Sequence, residues 1–293
     1  MANLLASLII SSLLLSSGLN FLIWQNNSGD LAAGPTRLTN KNLGIQTSAK
    51  SILIIDDQSK SILYEKNTKE ALPLASITKL ITALVILDTK PDWNRVIKIS
   101  KEDQRDGGIV YFFSGEEAKL KDVFNVMLVA SSNEAALALA RNSGITDFIL
   151  AMNKKAAALG MNDSYFFDPS GLDPQNVSSA NDLIKLAETA FKAPEIVQAV
   201  TASEYQYKIL NKQRNNKAVN TDQLLDSFLN QGEYKILGAK TGHLDEAGYC
   251  LLLKIKKNSG QSITLALFGA QTINDRWQEA KGLIDWVFRN YQW

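Results

Sequence analysis

The chain has 293 residues, 45% hydrophobic and 21% charged, an ordinary globular composition with length enough for a sizeable core. Its 31 basic and 30 acidic side chains nearly cancel and form no long run of either sign, which argues against a nucleic-acid partner. A single cysteine, Cys250, and a single histidine, His243, leave no disulfide framework and no structural zinc site, and neither metal nor cofactor is expected.

Taken in chain order, the first feature is apolar. Leu4 to Trp24 carries no charged side chain, and none precedes Asp30. At about 1.5 Å per residue such a stretch can span a bilayer. A secretory signal is the competing reading, although its first residues are normally basic. Residues 1–25 are expected to be one or the other, and both send the remainder across the membrane. Export to the outer face of the cytoplasmic membrane or to the periplasm follows. Residues 26–48 are polar and aperiodic and read as a linker, which leaves residues 49–293 as the folded domain.

Ser51–Asp56 and Ser61–Tyr64 read as a β-hairpin across the turn Asp57–Lys60. Pro73 precedes a helix that should start near Ser76 and run to about Asp88. Helical spacing recurs over Leu120–Ala130, Asn133–Arg141, Thr146–Leu159 and Ala180–Phe191. Two strands, Ala247–Lys256 and Ser262–Ala270, follow, and a final helix places Trp277, Ala280, Ile284, Val287, Phe288 and Tyr291 on one face. Cys250 lies in an apolar run, where packing is its expected role. The outline is an α+β fold: an antiparallel sheet flanked by helices, with a helical subdomain inserted at about residues 90–200.

Three short motifs stand in order along this outline. Ser76-Ile77-Thr78-Lys79 is the chain's one Ser-x-x-Lys, and Ser131-Ser132-Asn133 and Lys240-Thr241-Gly242 follow it. If Ser76 opens a helix, Lys79 lies one turn on, with its amine near the hydroxyl. To accept a proton the lysine must be neutral. Burial and a nearby cation both favour that state, and Lys240 could supply the cation. Ser131, at an inter-helix turn, can relay a proton towards a leaving group, while the Asn133 amide can bond a substrate carbonyl and Lys79. Lys240 and Thr241 can hold a carboxylate, and Gly242 leaves a groove open. The backbone N–H groups of Ser76 and His243 can serve an oxyanion; the His243 imidazole has no assigned task. Singly, each motif has a plainer reading: a helix cap with a surface lysine, a pair of caps, a solvated strand start. Their combination favours acyl transfer by a lysine-activated serine.

The same residues resemble the serine D-alanyl-D-alanine carboxypeptidases of the low-molecular-mass penicillin-binding proteins, over about residues 48–290. The likeness includes Ala75–Lys79, Ala130–Ala136, Met152-Asn153, Leu159–Met161, Asp168–Leu172, Lys240–His243 and Asp245–Tyr249. It implies a β-lactamase/transpeptidase-like fold, with a sheet of about five strands. It implies Ser76 as acyl-enzyme nucleophile, Lys79 as proton acceptor, Ser131 as relay and Lys240 as carboxylate contact. Asn133, Thr241, Gly242 and His243 would complete the substrate site. Peptidoglycan stem peptides would be the substrates and β-lactams covalent inhibitors. Two positions depart from the family pattern: Ser132, where many members have Gly or Asp, and Leu244, where Thr or Ser is frequent. The stretch beyond Lys240 leaves no room for the β-rich C-terminal domain of some members. Shorter relatives include D,D-endopeptidases, which stand as the alternative activity. A β-lactamase is disfavoured because no glutamate occurs between Glu134 and Glu188, so bound penicillin should turn over slowly. A catalytically silent wall-binding protein is disfavoured because all four reactive side chains are intact.

Overall fold

The strand Ser51–Asp56 (β1) is buried at every position. Successive side chains point to opposite faces, so a strand buried throughout needs cover on both. Leu53 and Ile55 join one apolar core, and Ile52 and Ile54 join the other. A computed structural model describes residues 34–39 and 44–293, all of which fall in one compact unit. The apolar segment Leu4–Trp24 and most of the expected linker lie outside the described residues. Among the described residues, no helix is long and apolar enough to cross a membrane.

β1 belongs to a five-stranded antiparallel sheet. With Ile62–Lys66 (β2), Tyr234–Leu244 (β3), Gly248–Lys257 (β4) and Ser262–Ala270 (β5), the spatial order is β3-β4-β5-β1-β2. The expected hairpin is present, its second strand displaced by one or two residues. Cys250 and Leu252 of β4, with Ala266 and Phe268 of β5, face the larger core. Leu251, Leu253, Leu265 and Leu267 face the smaller one. Cys250 is fully buried, as its apolar run suggested, and burial pushes its thiol up to about 11.

The larger core fills the space between the sheet and the helices Lys79–Asp88 (α1), Leu120–Val129 (α2), Asn133–Arg141 (α3), Phe148–Ala158 (α4), Ala180–Ala190 (α5) and Pro194–Val200 (α6). α1 is buried from Lys79 through Ile86, so it is surrounded rather than amphipathic. The closing helix Ile273–Asn290 (α7) covers the other face through Trp277, Ala280, Leu283, Ile284 and Val287. Two features of the helical part were not foreseen. Val96–Lys98 pairs with Glu117–Lys119, and Glu204–Ile209 pairs with Arg214–Val219 in a ribbon reaching past residue 200.

β3 also differs from expectation. It starts at Tyr234, so Lys240 lies inside the strand rather than at its start. A bulge between Ile236 and Gly238 breaks the alternation that would have revealed it. Gly238 is needed there, since a Cβ would come within 2.5 Å of the Phe191 ring.

Candidate active site

Ser76 does not open an α-helix. It sits in a 3-10 turn, Ala75–Thr78, and α1 begins at Lys79. In 3-10 geometry residues three apart eclipse, which places Lys79 directly over Ser76. Lys79 Nζ donates to Ser76 Oγ at 2.8 Å, to Asn133 Oδ1 at 2.7 Å and to the carbonyl of Ser170. Asn133 is the first residue of α3, and its Nδ2 donates to the Gly107 carbonyl at 3.0 Å. The Ser132 side chain accepts from Ala135 N at 3.2 Å and caps the same helix. Ser131 lies in the turn before it with a left-handed φ of 59°.

The Ser170 carbonyl is aimed at Lys79 by a knot of hydrogen bonds around Asp168. Its Oδ1 accepts from the backbone N–H of Ser170 at 2.5 Å and of Gly171 at 2.9 Å, and its Oδ2 from Asp173 N at 2.7 Å. Asn176 Nδ2 adds bonds to the Asp168 carbonyl at 2.9 Å and to Thr78 Oγ1 at 3.2 Å, tying the loop to the 3-10 turn.

The second lysine lies on the sheet edge. Lys240 and Gly242 stand opposite Leu252 and Cys250, on the face that looks towards the helices. Lys240 Nζ donates to Ser131 Oγ at 2.9 Å and to the Thr241 carbonyl at 3.1 Å. Thr241 Oγ1 shares a 2.7 Å hydrogen bond with Thr221 Oγ1. Gly242 is pressed against the turn, because a Cβ there would lie 2.6 Å from the Leu74 carbonyl oxygen and 3.3 Å from Ser76 N. His243 is exposed, and its ring stacks on Tyr249 with centroids 4.0 Å apart.

Both lysines are buried, and burial is the first cause of their lowered pKa values. Lys79 is brought down to about 7, with Asp168 and Glu134 opposing the shift. Lys240 lies well below the ordinary lysine value, and the positive charges of Lys79 and Arg276 push it further down. Desolvation, rather than a neighbouring cation, is therefore what lets Lys79 shed its proton near neutral pH.

Ser76, Ser131, Asn133, Thr241, Gly242 and His243 line one cleft of about 880 Å³, with Lys79 and Lys240 bonded to its serines from behind. All eight residues picked from the sequence are thus brought together. Arg276 was missed. It is buried on α7, lies 4.0 Å over the Trp277 ring and donates to the Gly242 carbonyl at 3.3 Å, and its Nε has no hydrogen-bond partner. A charge between Ile273 and Ala280, on an otherwise apolar helix face, was the available signal. Among the described residues, no group of three or more His, Cys, Asp or Glu side chains could hold a metal ion.

The fold is that of the penicillin-binding proteins. It superposes on penicillin-binding protein D2 of Listeria monocytogenes, solved in its ampicillin-bound form, with a TM-score of 0.73. The two chains are 26% identical over 84% of this chain and 100% of that one. A mutant of the Streptomyces K15 DD-transpeptidase shares the fold at 23% identity and a TM-score of 0.76, over 84% of this chain and 100% of that one. Residues 36–272 match the D-alanyl-D-alanine carboxypeptidase family, and the chain belongs to it. It is 32% identical to the D-alanyl-D-alanine endopeptidase of Pseudomonas aeruginosa over 83% of this chain and 79% of that protein. It is 31% identical to the D-alanyl-D-alanine carboxypeptidase DacF of Bacillus subtilis over 83% of this chain and 63% of DacF.

Proposed function

We propose that this protein is a penicillin-sensitive serine D-Ala-D-Ala carboxypeptidase acting on peptidoglycan stem peptides through an acyl-enzyme on Ser76. The observation that carries this reading is a desolvated amine, Lys79 Nζ, 2.8 Å from Ser76 Oγ. As Ser76 Oγ attacks the carbonyl of the penultimate D-alanine, its proton passes to neutral Lys79. The backbone N–H groups of Ser76 and His243 hold the tetrahedral oxyanion. When the C–N bond breaks, Ser131 Oγ gives its proton to the leaving amine and is reprotonated from Lys240 Nζ at 2.9 Å. Lys240, Thr241 and Arg276 receive the substrate carboxylate. Asn133 holds Lys79 in place with one end of its amide and fixes the loop at Gly107 with the other. Water then attacks the acyl carbon, its proton passing through Ser131 to the Lys240 amine, and Ser76 leaves with the proton held on Lys79 returned to its oxygen. A β-lactam enters the same path and stops at the ester.

Cleavage of D,D cross-links is the second reading. It is favoured by the endopeptidase names of relatives at 31–32% identity in Pseudomonas aeruginosa and Escherichia coli. Digestion of purified muropeptides separates the two. Free D-alanine from pentapeptides is the outcome expected; separated dimers without free D-alanine would establish the endopeptidase, and an untouched digest would refute both. Exported cell-wall action is part of the same proposal, with residues 1–25 as signal or anchor.

A further inference from the structure

Three segments remote in sequence meet at Thr221. Its backbone N–H donates to the carbonyl of Val129, the last residue of α2, at 3.2 Å. Its Oγ1 lies 2.7 Å from Thr241 Oγ1 on β3. One residue thus ties the end of the helix before Ser131 to the strand that carries Lys240. Both threonines line the cleft.

The residues on either side hold Thr221 in place. Asn220 Nδ2 donates to the Ala202 carbonyl at 2.7 Å, and Asn220 Oδ1 accepts from Asp222 N at 2.9 Å. The Asn220 N–H donates to the Ser203 carbonyl at 2.8 Å. Asp222 caps the 3-10 turn Gln223–Asp226, accepting from Leu224 N at 3.0 Å. Between these two anchors stands a β-branched side chain, itself stiff at χ1. Its hydroxyl is therefore presented to Thr241 from a fixed backbone.

A hydroxyl has one hydrogen to donate, whereas a carboxylate can only accept. Thr241 can serve a substrate carboxylate only by giving it that hydrogen. Within the 2.7 Å pair Thr241 must then accept, and Thr221 must donate. Accepting a hydrogen bond also makes a hydroxyl a stronger donor. Lys240 is already committed to Ser131 Oγ and the Thr241 carbonyl, which leaves the uncharged contact to the threonine.

We propose that Thr221 is a positioning residue for substrate recognition: its hydroxyl donates to Thr241 Oγ1 and turns the Thr241 hydrogen towards the substrate's terminal carboxylate. The inference rests on the reading of that subsite given above. The pair favours substrates that end in a free acid and gives nothing to those whose terminus is esterified.

The test compares acylation of the full chain by benzylpenicillin and by its methyl ester, followed by intact-protein mass. Thr221→Val removes the hydroxyl and keeps the shape, Thr221→Ala removes it without bulk, and Thr221→Ser keeps it. In the Val and Ala variants acylation by benzylpenicillin should fall about three- to tenfold, the usual worth of one hydrogen bond. Acylation by the ester should stay at the wild-type rate, and Thr221→Ser should match wild type with both probes. Because Thr221 acts through Thr241, adding Thr221→Val to Thr241→Val should cause no further loss. Equal losses with acid and ester, no loss with either, or losses that add in the double variant would overturn the proposal. Failure of both the Val and Ala variants to fold would do so as well. A wild-type chain acylated equally fast by acid and ester would instead overturn the carboxylate subsite, and one acylated by neither would overturn the acyl-enzyme reading.

Discussion

A lysine in water holds its proton to about pH 10.4, so Lys79 can serve Ser76 only where its surroundings penalise the charge. They do so mainly by excluding water, for Lys79 has no exposed surface. Asp168 and Glu134 work in the opposite direction and stop the pKa near 7. The sign of the pH dependence follows. Below about 7 Lys79 carries its proton and cannot take one from Ser76, so penicillin acylation should fall towards tenfold per pH unit as the solution is acidified. Stopped-flow labelling between about pH 5 and 9 reads this limb, and a rate independent of pH on the acid side would show that Lys79 is not the base. Arg276 left only a faint mark in the sequence, a charge on an otherwise apolar helix face, and its burial became evident only once long-range packing had removed it from water.

At the scale of elements, the site depends on how closely β3 lies against the 3-10 turn. Gly242 permits that approach from the strand, and Gly171 permits it from the Asp168 loop, where a Cβ would stand 2.1 Å from the Ala75 carbonyl oxygen. Gly242→Ala should therefore push the strand from the turn, because the obstacle is backbone and cannot rotate away. We expect penicillin acylation to drop by about 10–100-fold, since small displacements of reacting groups have such effects. Overpacking should cost about 1–3 kcal/mol in urea unfolding. A Gly242→Ala variant that acylates at the wild-type rate would show that this contact does not set the geometry. The same elements show what the sequence could reveal. β1, β4, β5 and α1 were legible as sustained apolar runs bounded by turn residues, and α2–α5 as apolar residues at helical spacing. The ribbon Glu204–Val219 was not, because charged and amide side chains leave its two strands mostly exposed. The start of β3 was hidden by its bulge. Ser76 was placed at a helix start, but the 3-10 form of the turn depends on contacts from Asn176 and Gly242 that local propensity does not encode.

On the scale of the whole molecule, the cleft exists where three remote stretches meet. Ser76 comes from the 3-10 turn and Lys79 from the start of α1 that follows it, Ser131 and Asn133 from the α2–α3 junction, and Lys240 from the edge strand of the sheet. Lys79 and Asn133 are 54 residues apart in sequence, and Lys240 and Ser131 are 109 apart, yet each pair is joined by a hydrogen bond. The motifs could be read one by one, while their convergence is a property of the folded chain. The two cores on opposite faces of the sheet hold that convergence in place. We propose that this convergence makes Ser76 a covalent nucleophile. Intact-protein mass measurement after exposure to penicillin, followed by peptide mapping, tests it directly. One acyl group per chain on the peptide containing Ser76, and none on the folded Ser76→Ala variant, is the result predicted. A label carried by another residue, or undiminished labelling of Ser76→Ala, would contradict it.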